Sequence, residues 1–263
     1  MKGGGRERGG HRTRTLLTVS VLVLAAAGAC TSGRGTATLT TRADQRPVPT
    51  TTTPAYVSFV AQVKQTVTSI GIYDSPQTAQ PTQTLPNPWL VDPGTPTSTV
   101  AQIFLIEQQT AGWLKILLPV RPNGSTGWIR ADDAVIIPTP FHITVSLSAH
   151  TITVTNANQT VYQGRVAVGA PDTPTPTGSY YLRVLVKALD PTTVYGPYAY
   201  GLSSHSNALS TFNGGDAEIG IHGNNDASAL GKDVTHGCVR MDNDAITMLS
   251  TQLLLGTPVD IVA

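Results

Sequence analysis

The chain has 263 residues and a formal net charge of +1, with 40% hydrophobic and 13% charged side chains. A chain of this length can form one or two domains, each with a hydrophobic core. So few charged side chains argue against a nucleic-acid-binding protein, which needs a basic face to neutralise phosphates, and against a coiled coil. The 25 glycines and 19 prolines indicate instead short strands, turns and a linker.

The first 29 residues have the features of an export signal. Five basic residues against Glu7 give this segment a net charge of +4, and an almost wholly apolar run covers residues 16–27. This run is shorter than the roughly 20 apolar residues of a membrane-spanning helix. We therefore predict that residues 1–29 are a secretory signal peptide and that the protein is exported.

The export segment ends at Ala27-Gly28-Ala29-Cys30. These residues resemble a bacterial lipobox, which implies lipidation of Cys30 and a lipid anchor at the outer face of the cytoplasmic membrane, beside the cell wall. Ala27 departs from the leucine that is commonest there, and the same residues suit ordinary signal peptidase, so both kinds of processing stay open. Both place the cut before Cys30. If Cys30 is lipidated, Cys238 has no disulfide partner, because the chain has two cysteines.

A tether and a small β-module are predicted next. Residues 30–55 hold almost no large apolar side chains, so we expect a disordered Thr/Pro-rich tether. Residues 56–138 contain β-rich runs at 101–106 and 113–118, a Pro-rich loop at 76–96 and an Asn-Gly turn at 123–124. The segments around Trp113 and Trp128 resemble a bacterial SH3-like module, which implies a small β-barrel. These two tryptophans either fill its core or face a ligand, and the core interpretation is favoured.

Residues 140–263 are predicted to form a mainly β domain. Period-two patterns or β-rich runs predict strands at 142–147, 151–155, 159–168, 180–186 and 259–262. One helix is predicted over about 245–254, with Asp242 or Asn243 as its N-cap and Gly256 beyond its end.

The residues with chemical potential lie between His222 and Arg240. A thiol such as Cys238 needs help to act as a nucleophile, because only a few per cent of it is thiolate near neutral pH. An imidazole with a pKa near 6.5 can take the thiol proton and return it to a leaving amine. The 16 residues that separate His222 from Cys238 allow a loop to bring the two together. The backbone N–H groups of His236, Gly237 and Cys238 are candidates for an oxyanion site.

Spacing alone leaves two other interpretations open. A buried structural cysteine with core histidines is the commoner arrangement in proteins. A zinc site of His222, His236 and Cys238 would lack a clear fourth ligand and a Cys-x-x-Cys pair.

His222-Gly223 followed by Thr235-His236-Gly237-Cys238-Val239-Arg240 resembles the signature of the YkuD-type L,D-transpeptidase catalytic domain. Thr-Pro-Thr-Gly at 175–178, Gly-Pro-Tyr at 196–198 and Gly-Thr-Pro-Val at 256–259 are similar to further segments of that family. The resemblance implies a β-sandwich or barrel-like catalytic domain over residues 140–263 and no metal or organic cofactor.

The resemblance also implies an activity and its residues. The expected reaction joins peptidoglycan stem peptides, one as donor and one as acceptor, into 3→3 cross-links through a Cys238 thioester. His222 is the expected base, Gly223 or Asn224 the residue whose carbonyl orients it, and His236 shapes the pocket. Further residues expected to bind substrate are Thr235, Tyr198 and Arg240, although Arg240 also suits a structural bond to the loop. Carbapenems are expected inhibitors.

Other functions remain open at the level of sequence. The same site with water as acceptor is an L,D-carboxypeptidase, and with a wall protein as acceptor it is a ligase. A non-catalytic wall-binding lipoprotein would leave the large domain as a scaffold, and an ordinary thiol at Cys238 would indicate it, whereas a catalytic thiol is expected to react at unusually low pH. The expected nucleophile and base both lie in the later domain, so we expect the chemistry to survive without residues 56–138.

Overall fold

The computed structural model of the chain describes residues 55–91 and 98–263. The predicted signal peptide (1–29), Cys30 and nearly all of the predicted tether (30–55) lie outside the described residues. The described residues belong to one compact unit. Within them, no helix has the length and apolar character that crossing a membrane requires.

The smaller part of this unit is a set of short strands before Pro140. They are β1 (Ser58–Val63), β2 (Ser69–Ile72), β3 (Gln83–Pro86), β4 (Trp89–Leu90), β5 (Thr99–Val100), β6 (Ile103–Thr110), β7 (Trp113–Leu117), β8 (Thr126–Arg130) and β9 (Ala134–Thr139). Five of them form an antiparallel sheet in the order β8-β7-β6-β1-β9, while β2–β3 and β4–β5 are separate antiparallel pairs. The predicted Pro-rich loop at 76–96 therefore contains two strands, because Ile72 and Val100 provide pairing partners for it.

The tryptophans of this small module do not fill its core. Trp113 and Trp128 are only partly buried and stand outside the cluster of buried apolar side chains. The Trp113 ring packs edge-on against Tyr73 at 4.9 Å between centroids, and the Arg130 guanidinium lies 4.9 Å from its centroid. The favoured core interpretation is therefore wrong for both residues, since mostly branched aliphatic side chains, with Phe104 and Tyr181, occupy the core instead.

The larger part of the unit starts at Phe141. Its strands are β10 (Phe141–Ser146), β11 (Thr151–Asn156), β12 (Gln159–Arg165), β13 (Val168–Gly169), β14 (Gly178–Lys187), β15 (Tyr198–His205), β16 (Glu218–His222), β17 (Asp233–Thr235), β18 (Val239–Arg240) and β19 (Pro258–Val262). Eight of them form one sheet in the order β12-β11-β10-β19-β14-β15-β16-β18, and β13 pairs with β17. The prediction of a mainly β fold is confirmed.

The single α-helix of the described residues, α1 (Asn243–Ser250), packs beneath this sheet. Asp242 is its N-cap, because its side chain accepts hydrogen bonds from the backbone N–H groups of Asp244 and Ala245. The helix ends four residues before the predicted Leu254. Hydroxyls of Ser250 and Thr251 donate to carbonyls three residues back, which competes with continuation of the helical ladder.

The two parts share apolar contacts. Tyr181, on β14 of the large part, is fully buried within the core cluster of the small module. Gly256 has a φ of +87°, and a Cβ at that position would lie 2.5 Å from Cγ1 of Val60 on β1. Leu255 packs against both cores. The small module therefore stabilises the large part by covering one face of β14.

The shared core generates a stability prediction. Tyr181→Ala should lower the free energy of unfolding by about 3–5 kcal/mol, because it empties a buried aromatic position. Tyr181→Phe should change it by less than about 1 kcal/mol, because the Tyr181 hydroxyl has no hydrogen-bond partner among the described residues. Chemical denaturation of both variants measures the difference. Equal losses in the two variants would contradict the assignment of the stabilisation to the ring.

Candidate active site

The predicted base ends β16, and the predicted nucleophile directly precedes β18, the parallel neighbour of β16. The register of β16 and β18 places Ile221 opposite Val239 and His222 opposite Arg240. Cys238 comes just before β18, and the backbone N–H of Gly220 donates to its Sγ at 3.4 Å. Gly220 and His222 face the same side of β16, since side chains alternate along a strand. His222, Cys238 and Arg240 consequently line one cavity.

The turn that carries Cys238 is held by threonine hydroxyls. Thr235 Oγ1 donates to the Cys238 carbonyl at 2.7 Å and accepts from the Gly237 N–H at 3.1 Å. Thr175 Oγ1 donates to the Gly237 carbonyl at 2.8 Å. Gly237 has a φ of +117°, a conformation that favours glycine, and a Cβ there would lie 2.8 Å from Ile219 Cδ1. The shape of the turn thus accounts for Thr235 and Gly237 in the Thr-His-Gly-Cys order.

Two sequence-based expectations for this turn are corrected by these bonds. The Gly237 N–H is not free for an oxyanion, because Thr235 already accepts from it. Thr235 is 2% exposed and uses its hydroxyl to hold the turn, so it shapes the site and does not present that group to a substrate. Within the described residues, the backbone N–H groups of His236 and Cys238 donate no hydrogen bond.

The His222 ring is oriented by the residue that follows it. Its Nδ1 lies 2.7 Å from the Gly223 carbonyl, so Nδ1 carries the hydrogen and donates. Burial lowers the pKa of His222 to about 4, helped by the charge of Arg240 and opposed by hydrogen bonds to the backbone of Gly223 and Val194. The imidazole is therefore neutral at pH 7, and because Nδ1 carries the hydrogen, Nε2 is the unprotonated nitrogen. Of the two residues expected to orient the base, Gly223 is the one that does so.

The thiol of Cys238 is also neutral in this environment. Burial raises its pKa, while the Gly220 N–H and the charge of Arg240 act in the opposite direction. With His222 neutral as well, the resting pair is a thiol beside a free imidazole and not a thiolate–imidazolium ion pair. Neither group is then charged before substrate binds, which opposes the reactivity at unusually low pH that is expected of a catalytic thiol, and that expectation stays a prediction for measurement.

Arg240 is the cation of the site. Its side chain makes no hydrogen bond or ion pair with another described residue, and its buried Nε has no partner. A structural bond from this guanidinium to the loop, the alternative left open by the sequence, is absent from the described residues. In the described part of the chain, no three His, Cys, Asp or Glu side chains are grouped as ligands of a metal ion.

Sequence reasoning missed the aromatic side chains of the site. Tyr195 packs against His222 with 5.0 Å between ring centroids, and Phe212 packs against His236 at 5.4 Å. Tyr198, predicted to bind substrate, instead packs against the large core and does not line the cavity. The Gly-Pro-Tyr segment pointed to the correct loop, but only the folded loop shows that Tyr195 faces the histidine.

Two loops cover the cavity. Asn213, in the loop before β16, donates through Nδ2 to the Tyr195 hydroxyl at 3.2 Å, which joins that loop to the one before β15. The cavity between them has a volume of about 40 Å³, well below the ~300–1,000 Å³ of ordinary ligand pockets. These two loops therefore border the approach to Cys238.

The chain is similar in sequence to known L,D-transpeptidases. The YkuD model, which describes an L,D-transpeptidase catalytic domain, matches residues 140–261. The YkuD protein of Bacillus subtilis strain 168, named as an L,D-transpeptidase, is 32% identical over 152 residues, which cover 55% of this chain and 84% of that protein. The chain belongs to the YkuD-type L,D-transpeptidase family. The YkuD protein of Bacillus licheniformis is 29% identical over 178 residues, 65% of this chain and 96% of that protein.

Solved structures of L,D-transpeptidases resemble this chain more distantly. L,D-transpeptidase 3 from Mycobacterium tuberculosis, solved in complex with a faropenem-derived adduct, is 17% identical. The alignment covers 55% of this chain and 76% of that chain with a TM-score of 0.39.

The raised thiol pKa predicts how Cys238 responds to pH. In the ligand-free protein, alkylation of Cys238 by iodoacetamide should increase with pH through neutrality and continue to rise beyond the pKa of a free thiol, about 8.5. The mass of the peptide that contains Cys238 measures the rate, and glutathione in the same buffers is the reference. A plateau of fast alkylation between about pH 5 and 7 would reveal a resting thiolate and would contradict this description.

Proposed function

We propose that this protein is a peptidoglycan L,D-transpeptidase that forms 3→3 cross-links between stem peptides through a thioester on Cys238. The observation that carries the proposal is the pairing of β16 with β18. It places Cys238 Sγ against the Gly220 N–H, and it places His222, oriented by Gly223, in the same cavity. Family membership supplies the substrate class for this thiol and base.

The first half-reaction consumes a donor tetrapeptide stem. His222 Nε2 takes the Cys238 proton as Sγ attacks the carbonyl of the L,D-peptide bond between the third residue, a diamino acid, and the terminal D-alanine. The carbonyl π electrons move to oxygen and give a tetrahedral oxyanion. The oxyanion then collapses, the C–N bond breaks, and the imidazolium returns its proton to the leaving D-alanine amine. A thioester remains on Cys238.

Two backbone N–H groups and one guanidinium are placed to bind the negative charges of this half-reaction. The N–H groups of His236 and Cys238 are the candidates to bind the oxyanion, since the Gly237 N–H is held by Thr235. Arg240, which has no partner among the described residues, can bind a carboxylate of the stem. His236 lies beside Phe212 and acts as part of the pocket wall.

The second half-reaction sets the product. The side-chain amine of a second stem attacks the thioester and loses a proton to His222. The C–S bond breaks, and the imidazolium returns that proton to Sγ, which restores the Cys238 thiol and the neutral imidazole. Attack by water would make the protein an L,D-carboxypeptidase, and attack by an amine of a wall protein would make it a ligase. The proposed acceptor is the stem peptide, and the two other products are distinguishable outcomes of the same assay.

The test incubates the protein with disaccharide-tetrapeptide and weighs the products by mass spectrometry. The expected products are a tetrapeptide–tripeptide dimer and free D-alanine, and Cys238→Ala should remove both while the protein stays folded. Disaccharide-tripeptide without dimer would indicate hydrolysis. No product from the folded parent protein would support a non-catalytic wall-binding role.

His222→Ala tests the assignment of the base, and His236→Ala is its matched control. His222→Ala should slow acylation by a carbapenem by about 10²–10⁴-fold, whereas His236→Ala should leave proton transfer intact. Because burial holds the pKa of His222 near 4, the parent rate should fall as the pH drops through about 4 and not near 6.5. His222→Ala should lose this dependence, and a loss in His236→Ala alone would reverse the assignment of the base.

We also propose that the protein is exported and lipid-anchored through Cys30. The basic head, the short apolar run and Ala27-Gly28-Ala29-Cys30 support this proposal. Cys30→Ala should release the protein from the membrane fraction while enzymatic turnover is unchanged. The mass of the mature N-terminus gives a second measurement, and an unmodified Cys30 there would favour ordinary signal peptidase.

A further inference from the structure

The loop at 206–217, which joins β15 to β16, forms one wall of the candidate active site. Ser206, Leu209, Phe212 and Ala217 all line the cavity that contains Cys238. Phe212 packs on His236, the residue two positions before the thiol. The position of this loop therefore decides the shape of the cavity around Cys238.

Within the described residues, hydrogen bonds inside the loop hold its base and its tip, and the Ser206 hydroxyl oxygen accepts from the N–H groups of Ala208 and Leu209. At the base, the Ser206 N–H donates to the Ala217 carbonyl at 2.9 Å. Near the tip, Phe212 and Gly215 exchange two backbone hydrogen bonds. Between these points, Leu209 and Asp216 present carbonyls that no other backbone group of the loop binds.

The guanidinium of Arg121, in the small module, binds these carbonyls. Arg121 Nη1 donates to the Ser206 carbonyl at 2.5 Å, and Nη2 donates to the carbonyls of Leu209 and Asp216, each at 3.0 Å. Arg121 Nε also lies 3.6 Å from the Asp216 carboxylate. A planar, fixed fork of donors suits several acceptors at once, which a lysine ammonium on a flexible stem matches poorly. Arg121 thus binds both sides of the loop.

Asn123 holds the strand end from which the loop starts. Its Nδ2 donates to the His205 carbonyl at 2.7 Å, and its Oδ1 accepts from the His205 N–H at 2.9 Å. The same Nδ2 lies 3.2 Å from Asn207 Oδ1. Arg121 and Asn123 belong to one turn of the small module, between β7 and β8, so a single turn fixes the start and both sides of the loop.

We infer that Arg121 and Asn123 are positioning residues for the active site, and that the small module acts in substrate binding through the 206–217 loop. This inference rests on the proposed function, because it assigns the module a part in that same reaction. It adds a part in donor binding to the expectation that the chemistry at Cys238 survives without residues 56–138. The two residues lie outside the cavity lining, so they act on the donor stem only through the loop wall.

The 206–217 loop contributes part of the cavity wall and no group that transfers protons. A change in its position should therefore affect substrate binding and not the chemical step. Release of the loop should weaken donor binding and leave the chemical step at Cys238 and His222 unchanged. Loss of one charge-assisted contact set commonly weakens binding by about tenfold or more. Arg121→Gln should therefore raise the KM for the donor by about tenfold, with kcat nearly constant.

The experiment uses the full chain and three variants. Arg121→Gln removes the charge and the fork, Arg121→Lys keeps the charge, and Asn123→Ala removes the contacts to His205. Arg130→Gln is the matched control, because this arginine of the same module lies over Trp113 and Tyr73 and does not touch the loop. Two readouts are taken: the KM and kcat with disaccharide-tetrapeptide, and the amide hydrogen exchange of residues 206–217 without substrate.

The expected result is faster exchange in 206–217 and a raised KM for Arg121→Gln and Asn123→Ala. Arg121→Lys should fall between the parent and Arg121→Gln, and Arg130→Gln should match the parent. A purely structural role would lower kcat through loss of folded enzyme and leave KM unchanged, and that pattern would overturn the inference. So would faster exchange with an unchanged KM, or unchanged exchange. An inactive parent protein would instead refute the proposed function, while the exchange data would still test the hold on the loop.

Discussion

The parallel pairing of β16 with β18 is the constraint on which the candidate active site depends. It joins two segments that are separated by residues 223–238, which include β17, and it aligns Ile221 with Val239 and His222 with Arg240. The hydrogen bonds of this strand pair hold the Gly220 N–H, the Cys238 thiol and the His222 imidazole in position relative to one another. The threonine hydroxyls around Gly237 then fix the remaining freedom of the turn.

Burial in this rigid setting determines the charge of the resting site. It lowers the pKa of His222 to about 4 and raises that of Cys238, so both groups are uncharged at neutral pH. In the proposed reaction, proton transfer from Cys238 to His222 would therefore accompany attack on the substrate. The positive charge of Arg240 lowers the pKa of both groups, so it favours the thiolate of Cys238 and the neutral imidazole of His222.

The small module takes part in the architecture at two levels. Its core receives Tyr181 from β14, so the eight-stranded sheet is covered on that side by apolar side chains of the module. Its polar turn at 121–123 reaches the loop that walls the cavity. Apolar contacts, which are non-directional, hold the small module against β14. Hydrogen bonds, which are directional, set the position of the 206–217 loop.

The sequence by itself determined what depends on local pattern. Period-two alternation predicted the strands at 142–147 and 151–155, and Asp242 or Asn243 was predicted to cap the helix. The resemblance of His-Gly and Thr-His-Gly-Cys to a family signature identified the candidate nucleophile and base. Only the tertiary structure decided what depends on residues distant in the chain. The Gly237 N–H was a candidate oxyanion donor until the Thr235 bond appeared, and Tyr198 was a candidate binding residue until Tyr195 was found against His222. The pKa of His222 and the reach of Arg121 were equally inaccessible, because burial and contacts across 85 or more residues have no local pattern in a sequence.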